Sequence, residues 1–137
     1  MVQVELSKII IDEKRQDQVI VLKEKDGLRQ FPIVIGFLEA SSIKMKLSGI
    51  EPPRPMTHDL LASIITGLEA KFERLIVDKL INNTFHAKLE LTAKGGERIF
   101  IDARPSDGIA LAVRMNTAIF VEEEVFKKAA IFNSHEQ

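Results

Sequence analysis

Apolar and polar side chains alternate from the first residues of the chain. Val2, Val4 and Leu6 alternate with Gln3, Glu5 and Ser7 and run into Ile9-Ile10-Ile11, the two-residue period of a β-strand. Residues 12–17 form a charged turn and 18–25 a second strand; Asp26-Gly27 is a strong hairpin signal, and 29–35 follows as a third strand. Pro32 has no amide hydrogen to give a neighbour, which places the third strand at an edge or at a strand end. The period then changes. Leu38, Ala40, Ile43 and Leu47 stand at helical spacing within 36–48, and Gly49 supplies the stop. Pro52, Pro53 and Pro55 make residues 50–55 a stiff connector.

Beyond the connector, Thr57 suits a helix N-cap, and Asp59 lies in the first turn where the helix dipole favours a carboxylate. Leu60, Leu61, Ile64, Ile65, Leu68 and Phe72 make one apolar stripe, which predicts a helix over 57–72. Strands are expected over 74–82, 85–91 and 98–102, with Gly95-Gly96 turning the chain before the last. Ser106 is expected to cap a helix through Met115. A short strand over 119–121 and a helix over 122–131 follow, and 133–137 read as a loose tail behind a domain of residues 1–132.

The two parts resemble one another. Gly27-x-Arg29-x-Phe31 returns as Gly96-x-Arg98-x-Phe100, and Glu39, Ile43 and Lys46 correspond to Asp107, Leu111 and Arg114. Each half reads strand–strand–strand–helix, with the helix at 57 inserted between them. The stiffness of the connector predicts one sheet or barrel-like layer around a shared core, a compact single-domain α+β fold with an internal duplication. The third strand and the short strand at Ile119 leave candidate open edges, which predicts self-association, a dimer first.

Composition narrows the chemistry. The 137 residues contain no cysteine, which excludes disulfides, cysteine-ligated metals and a thiol nucleophile. Basic and acidic residues number 19 and 20, so any contact with a polyanion must be local. No apolar run approaches the ~18 residues of a membrane span, and no basic-then-apolar segment opens the chain. The expectation is a cytoplasmic protein without a membrane partner.

Polar groups cluster at three element ends. Glu39 lies one turn into a helix after Gly36; the alternative is that it only satisfies that helix start. Arg54-Pro55-x-Thr57-His58-Asp59 delivers a guanidinium, an imidazole and a carboxylate within six residues, where His58 suits a general base. A helix cap with an idle histidine explains the same residues. Asp102-x-Arg104-Pro105-Ser106-Asp107 flanks an arginine with two carboxylates. Such a turn suits Mg²⁺ or Mn²⁺ held by oxygen, and Arg104 suits a phosphate; an internal salt bridge is the alternative. A fourth segment, 83–87, is explained by its turn. His86 falls on the polar phase of its strand, and His135 lies in the tail.

Taken together, residues 31–40, Arg54-Pro55-x-Thr57-His58-Asp59-Leu60, Thr84-Phe85-x-Ala87 and 102–112 resemble the bifunctional nuclease family in type, order and spacing. Gly108 stands where that family commonly has alanine. The resemblance implies a compact α+β domain that self-associates and hydrolyses both DNA and RNA. Weak, backbone-directed contact with nucleic acid would follow, without base readout. In that setting His58 and Asp59, with Asp102, Asp107 and Glu39, are the catalytic candidates. The last three double as ligands for a divalent ion, and Arg54, Thr57, Arg104 and Ser106 are the substrate-binding candidates. The competing reading is a non-enzymatic oligomeric binding module in which the same polar residues are structural. Arginines paired off beneath the surface would favour it; a shared open cleft would favour the enzyme.

Overall fold

The computed structural model describes residues 1–12, 14 and 17–134, and the side chains of the last five of these are left aside. The described residues form seven strands and four helices. They are β1 (Val2–Ile10), β2 (Asp17–Glu24), β3 (Gln30–Gly36), α1 (Phe37–Leu47), α2 (Thr57–Gly67), β4 (Lys71–Ile81), β5 (Thr84–Thr92), β6 (Arg98–Ala103), α3 (Pro105–Met115), β7 (Ile119–Val121) and α4 (Glu123–Ser134). Among the described residues no helix is long and apolar enough to cross a membrane. The expected tail at 133–137 is partly helix, since α4 includes Asn133 and Ser134; the remainder lies outside the described residues.

All seven strands join one sheet in the order β3-β2-β1-β7-β4-β5-β6. Each half supplies an antiparallel meander and its following helix, so the α+β fold and the strand–strand–strand–helix repeat read from the sequence are both present. β7 closes the gap between halves, antiparallel to β1 (Val4 opposite Ile119) and parallel to β4 (Leu75 opposite Ile119). The Ile119 strand is therefore central, not an open edge. The exposed edges are β3, where Pro32 sits as expected, and β6. The sheet curls enough for Phe31 of β3 to stack on Phe85 of β5 with centroids 5.4 Å apart, and Phe126 of α4 meets Phe31 edge-on. One apolar core runs through both halves, from Val4, Ile20 and Ile43 to Leu75, Ile109 and Val121.

The helix over 57–72 is shorter than its stripe. α2 ends at Gly67, and Glu69 takes a left-handed φ of 58° that turns the chain into β4. Phe72 is buried as a strand residue, at a position that also fits the helical period from Leu68. Of the other stripe residues only Ile65 is buried; Leu60, Leu61, Ile64 and Leu68 stay exposed. Both expected caps shift toward the N-terminus, from Thr57 by one residue and from Ser106 by two. Met56 is the N-cap of α2, its amide donating to Asp59 Oδ2 at 3.0 Å. Arg104 is the N-cap of α3, because Pro105 fits the first helical position, where no amide hydrogen is needed.

Candidate functional site

Three helix segments meet over one end of the sheet, and their polar residues form a continuous chain of hydrogen bonds. His58, in the first turn of α2, is buried. Its Nε2 lies 2.9 Å from Asp107 Oδ1 of α3, and its Nδ1 lies 2.7 Å from Ser42 Oγ of α1. Beside an ionised Asp107 the neutral ring carries its hydrogen on Nε2, so Nδ1 accepts from the Ser42 hydroxyl. Asp107 Oδ2 accepts from Arg104 Nε at 3.0 Å and Nη2 at 2.8 Å, and the same Nη2 donates to Glu39 Oε1 at 3.0 Å. Glu39 and Asp107, matching positions of the two half-units, thus share one arginine.

Burial is the largest single influence on Asp107 and acts against its ionisation. The hydrogen bonds from His58 and Arg104, with the charge of Arg104, together outweigh it and hold the carboxyl below its usual range. Arg104 is in turn raised, chiefly by Asp107. The Arg104 side chain is nonetheless 67% exposed, and its Nη1 has no protein acceptor among the described residues. That nitrogen is left to meet a ligand.

A cleft of about 490 Å³ opens beside this cluster, lined by Thr57, His58, Leu61, Arg104, Asp107 and Gly108 among others. The imidazole turn and the second arginine turn therefore face one open space. A second cleft, about 370 Å³, lies on the other side of Arg104 and is lined by Ser106, Asn83 and Thr84. Residues 83–84, explained by their turn in the sequence, are walls of that cleft.

Other sequence candidates fall elsewhere. Asp59 Oδ1 pairs with Arg114 Nε at 2.7 Å, and Arg114 also donates to the carbonyl oxygens of Ala110 and Ser42. Asp59 thus binds α2 to α3 and α1, and it does not line the cleft. Arg54 is exposed in the connector, makes no ion pair among the described residues and lines neither cleft. Asp102 is at the cleft rim only through its place in β6. Its register partner is Lys88, and strand alternation sets it on the face opposite Ile101, which packs over Leu89 toward the helices. It therefore does not join Asp107.

The residues present do not fit a three-ligand divalent site. Among the described residues no three His, Asp or Glu side chains converge to hold a metal ion. Both oxygens of Asp107 and one of Glu39 are engaged by His58 and Arg104, and Asp102 faces away. Ser42 and Arg114 complete the cluster without having been read as site residues. A mid-helix serine carries no sequence signal; Arg114 was visible only as the counterpart of Lys46.

Residues 20–134 match the bifunctional nuclease domain family. An uncharacterized protein of Mycobacterium tuberculosis strain H37Rv is 36% identical over 131 residues, 96% of this chain and 77% of that protein. Bifunctional nuclease 2 of Oryza sativa subsp. japonica is 27% identical, covering 84% of this chain. Bifunctional nuclease 1 of Arabidopsis thaliana is 26% identical, covering 76%. This chain spans about a third of each plant protein, 36% and 33% of their lengths. The match covers all three helices that build the polar cluster, and on it the chain belongs to the bifunctional nuclease domain family.

Proposed function

We propose that the chain is a nuclease that hydrolyses phosphodiester bonds of DNA and RNA at the cleft beside His58. The observation that carries this reading is the meeting of an imidazole–carboxylate pair and an exposed, oriented guanidinium on one open cleft. Arg104, aimed by Asp107 and Glu39, holds a phosphate through its free Nη1 and offsets charge that builds on the phosphorus oxygens. His58 and Asp107 act as the proton-handling pair: a lone pair of the Asp107 carboxylate that faces the cleft takes the proton from an attacking water, and the hydrogen bond from His58 Nε2 holds that carboxylate in place. Ser42 fixes the ring from the other side and Glu39 fixes Arg104; both are positioning residues. The net charge of −1 fits weak, backbone-directed contact, which also explains why one site would take both nucleic acids. No step is routed through a divalent ion, because the carboxylates are otherwise engaged.

The competing reading, a binding module, draws support from the same network, since each of its carboxylates already has a protein partner. The two separate in an assay of single-stranded DNA and RNA cleavage on protein taken through successive columns, with Mg²⁺, Mn²⁺ and chelator arms. Activity that follows the protein, and an Arg104→Ala variant with a raised KM, support the nuclease. Activity that parts from the protein on a further column replaces it with the binding module.

A further inference from the structure

The cleft of about 370 Å³ on the far side of Arg104 holds hydrogen-bond donors that the protein does not use. Ser106 is only 6% exposed and lines this cleft, not the one beside His58. Its hydroxyl has no hydrogen-bond partner among the described residues. A buried hydroxyl normally finds a partner, and the open space beside this one is the cleft. Ser106 is also the second residue of α3, whose N-cap contributes no side-chain bond. The amide of Gly108 donates to the Arg104 carbonyl at 3.0 Å, while those of Ser106 and Asp107 have no acceptor among the described residues. Free amides at a helix start favour an anion. Arg104 lines both clefts, and its Nη1 carries two hydrogens, one for each side. Another wall is the turn from β4 to β5. Asn82 and Asn83 take left-handed φ angles of 50° and 63°, the pairing that a two-residue hairpin turn needs. That turn sets Asn83 and Thr84 at the cleft, both exposed and with side chains unpartnered among the described residues.

We propose that this second cleft is a phosphate subsite, separate from the hydrolytic cleft, and that it takes the phosphate of the nucleotide next to the scissile bond. The identity of the neighbouring nucleotide rests on the nuclease reading; the phosphate rests on the donors alone. A hydroxyl, two helix-start amides and a guanidinium hydrogen approach from different elements of one corner, which suits a tetrahedral oxyanion. Two carboxylates lie near. Asp17, opposite Gly36 at the start of β2, is part of the lining, and its charge keeps the phosphate at the Ser106 end. Glu39 is already paired with Arg104 at 3.0 Å. The volume falls in the range of small-ligand sites and admits a nucleotide, whose sugar then lies within reach of Asn83 and Thr84. Because Arg104 stands between the clefts, one guanidinium bridges two successive phosphates of a strand and sets which bond faces His58 and Asp107.

Titration of the ¹⁵N-labelled full chain, followed by NMR, tests this with inorganic phosphate, thymidine 5′-monophosphate and thymidine. None of the three has a phosphodiester bond to be cut. Both phosphates shift the backbone amides of Ser106 and Asp107 and the side-chain amide of Asn83 along one saturation curve, the monophosphate at lower concentration; thymidine shifts none of them. Ser106→Ala weakens the monophosphate roughly tenfold, the scale of a lost hydrogen bond to a charged group. Asn83→Asp keeps the shape and the left-handed backbone but adds a negative charge, and weakens it further. Spectra unchanged away from the cleft show that both variants are folded, and the shift map of the parent stands without them. Phosphate that moves only residues around His58, that moves nothing, or that binds both variants as it binds the parent overturns the proposal. Cleavage of a single-stranded oligonucleotide, run in parallel, separates it from the nuclease reading. Shifts without cleavage keep the phosphate subsite and remove the neighbouring scissile bond; cleavage without shifts keeps the nuclease and removes the subsite.

Discussion

Arg114 and Asp59 illustrate how single residues divide between fold and chemistry. The Arg114 side chain is 6% exposed and reaches three acceptors on three elements. Removing its carboxylate partner strands a buried guanidinium, which costs about 3 kcal/mol even with the carbonyl contacts kept. Asp59→Ala should lower the free energy of unfolding by that amount in urea titrations, and a loss below 1 kcal/mol would show the pair to be unimportant. Asp59 is held below the usual carboxyl range by the Met56 amide first and Arg114 second, and Asp107 is also lowered, burial being overcome by His58 and Arg104. A carboxyl lowered by folding stabilises fully above its unfolded value near pH 4, and that contribution fades as pH falls through the folded value. Tm should therefore drop steeply below about pH 4, and the double variant Asp59→Asn/Asp107→Asn should drop less; equal slopes would contradict the assignment. His58, Arg104, Asp107 and Glu39 were legible in the sequence because polar groups cluster at those element ends, although each type alone is ordinary at a helix start. Asp102 misled because five residues of separation say nothing about which face a strand position takes.

At the scale of elements, α3 lies close on β4 because residue 108 has no side chain. A Cβ at Gly108 would stand 2.5 Å from Leu75 Cδ1, and Leu75 is fully buried. Alanine there gains about 1 kcal/mol of helix propensity but forces an overpacked core that costs roughly 1–3 kcal/mol. Gly108→Ala should therefore be neutral to destabilising by up to about 2 kcal/mol in denaturant titrations. With Leu75→Val added, the pair should unfold at a higher denaturant midpoint than Leu75→Val alone. A midpoint that Gly108→Ala raises in the parent would show that the helix is not held so close. From sequence alone this glycine appeared only as a loss of propensity; the neighbour that explains it lies 33 residues away in the chain. The α2 boundary failed for a related reason. Leu68 and Phe72 keep helical spacing across a turn made by Glu69, and periodicity does not register a single left-handed residue.

For the whole molecule, the offset between the halves and the stiff connector were enough to anticipate one sheet and one core. The insertion of β7 between the halves was not, since three residues carry no signal of where they pair. Because β7 touches β1 of one half and β4 of the other, the halves should unfold together. Hydrogen exchange should give the amides of β1, β7 and β4 a common opening free energy, and two separate values would mean two independent units. The functional claim rests on the same joining, since His58, Asp107, Arg104 and Glu39 come from segments far apart in the chain. It is tested most directly by single-turnover cleavage of a single-stranded oligonucleotide by the parent, His58→Ala, Asp107→Ala and the double variant, all shown to be folded by circular dichroism. Each single variant should be slower by roughly 10²-fold or more, and the double variant little slower than the worse single, as for residues acting as one unit. Cleavage by either single variant at the parent rate would contradict the account.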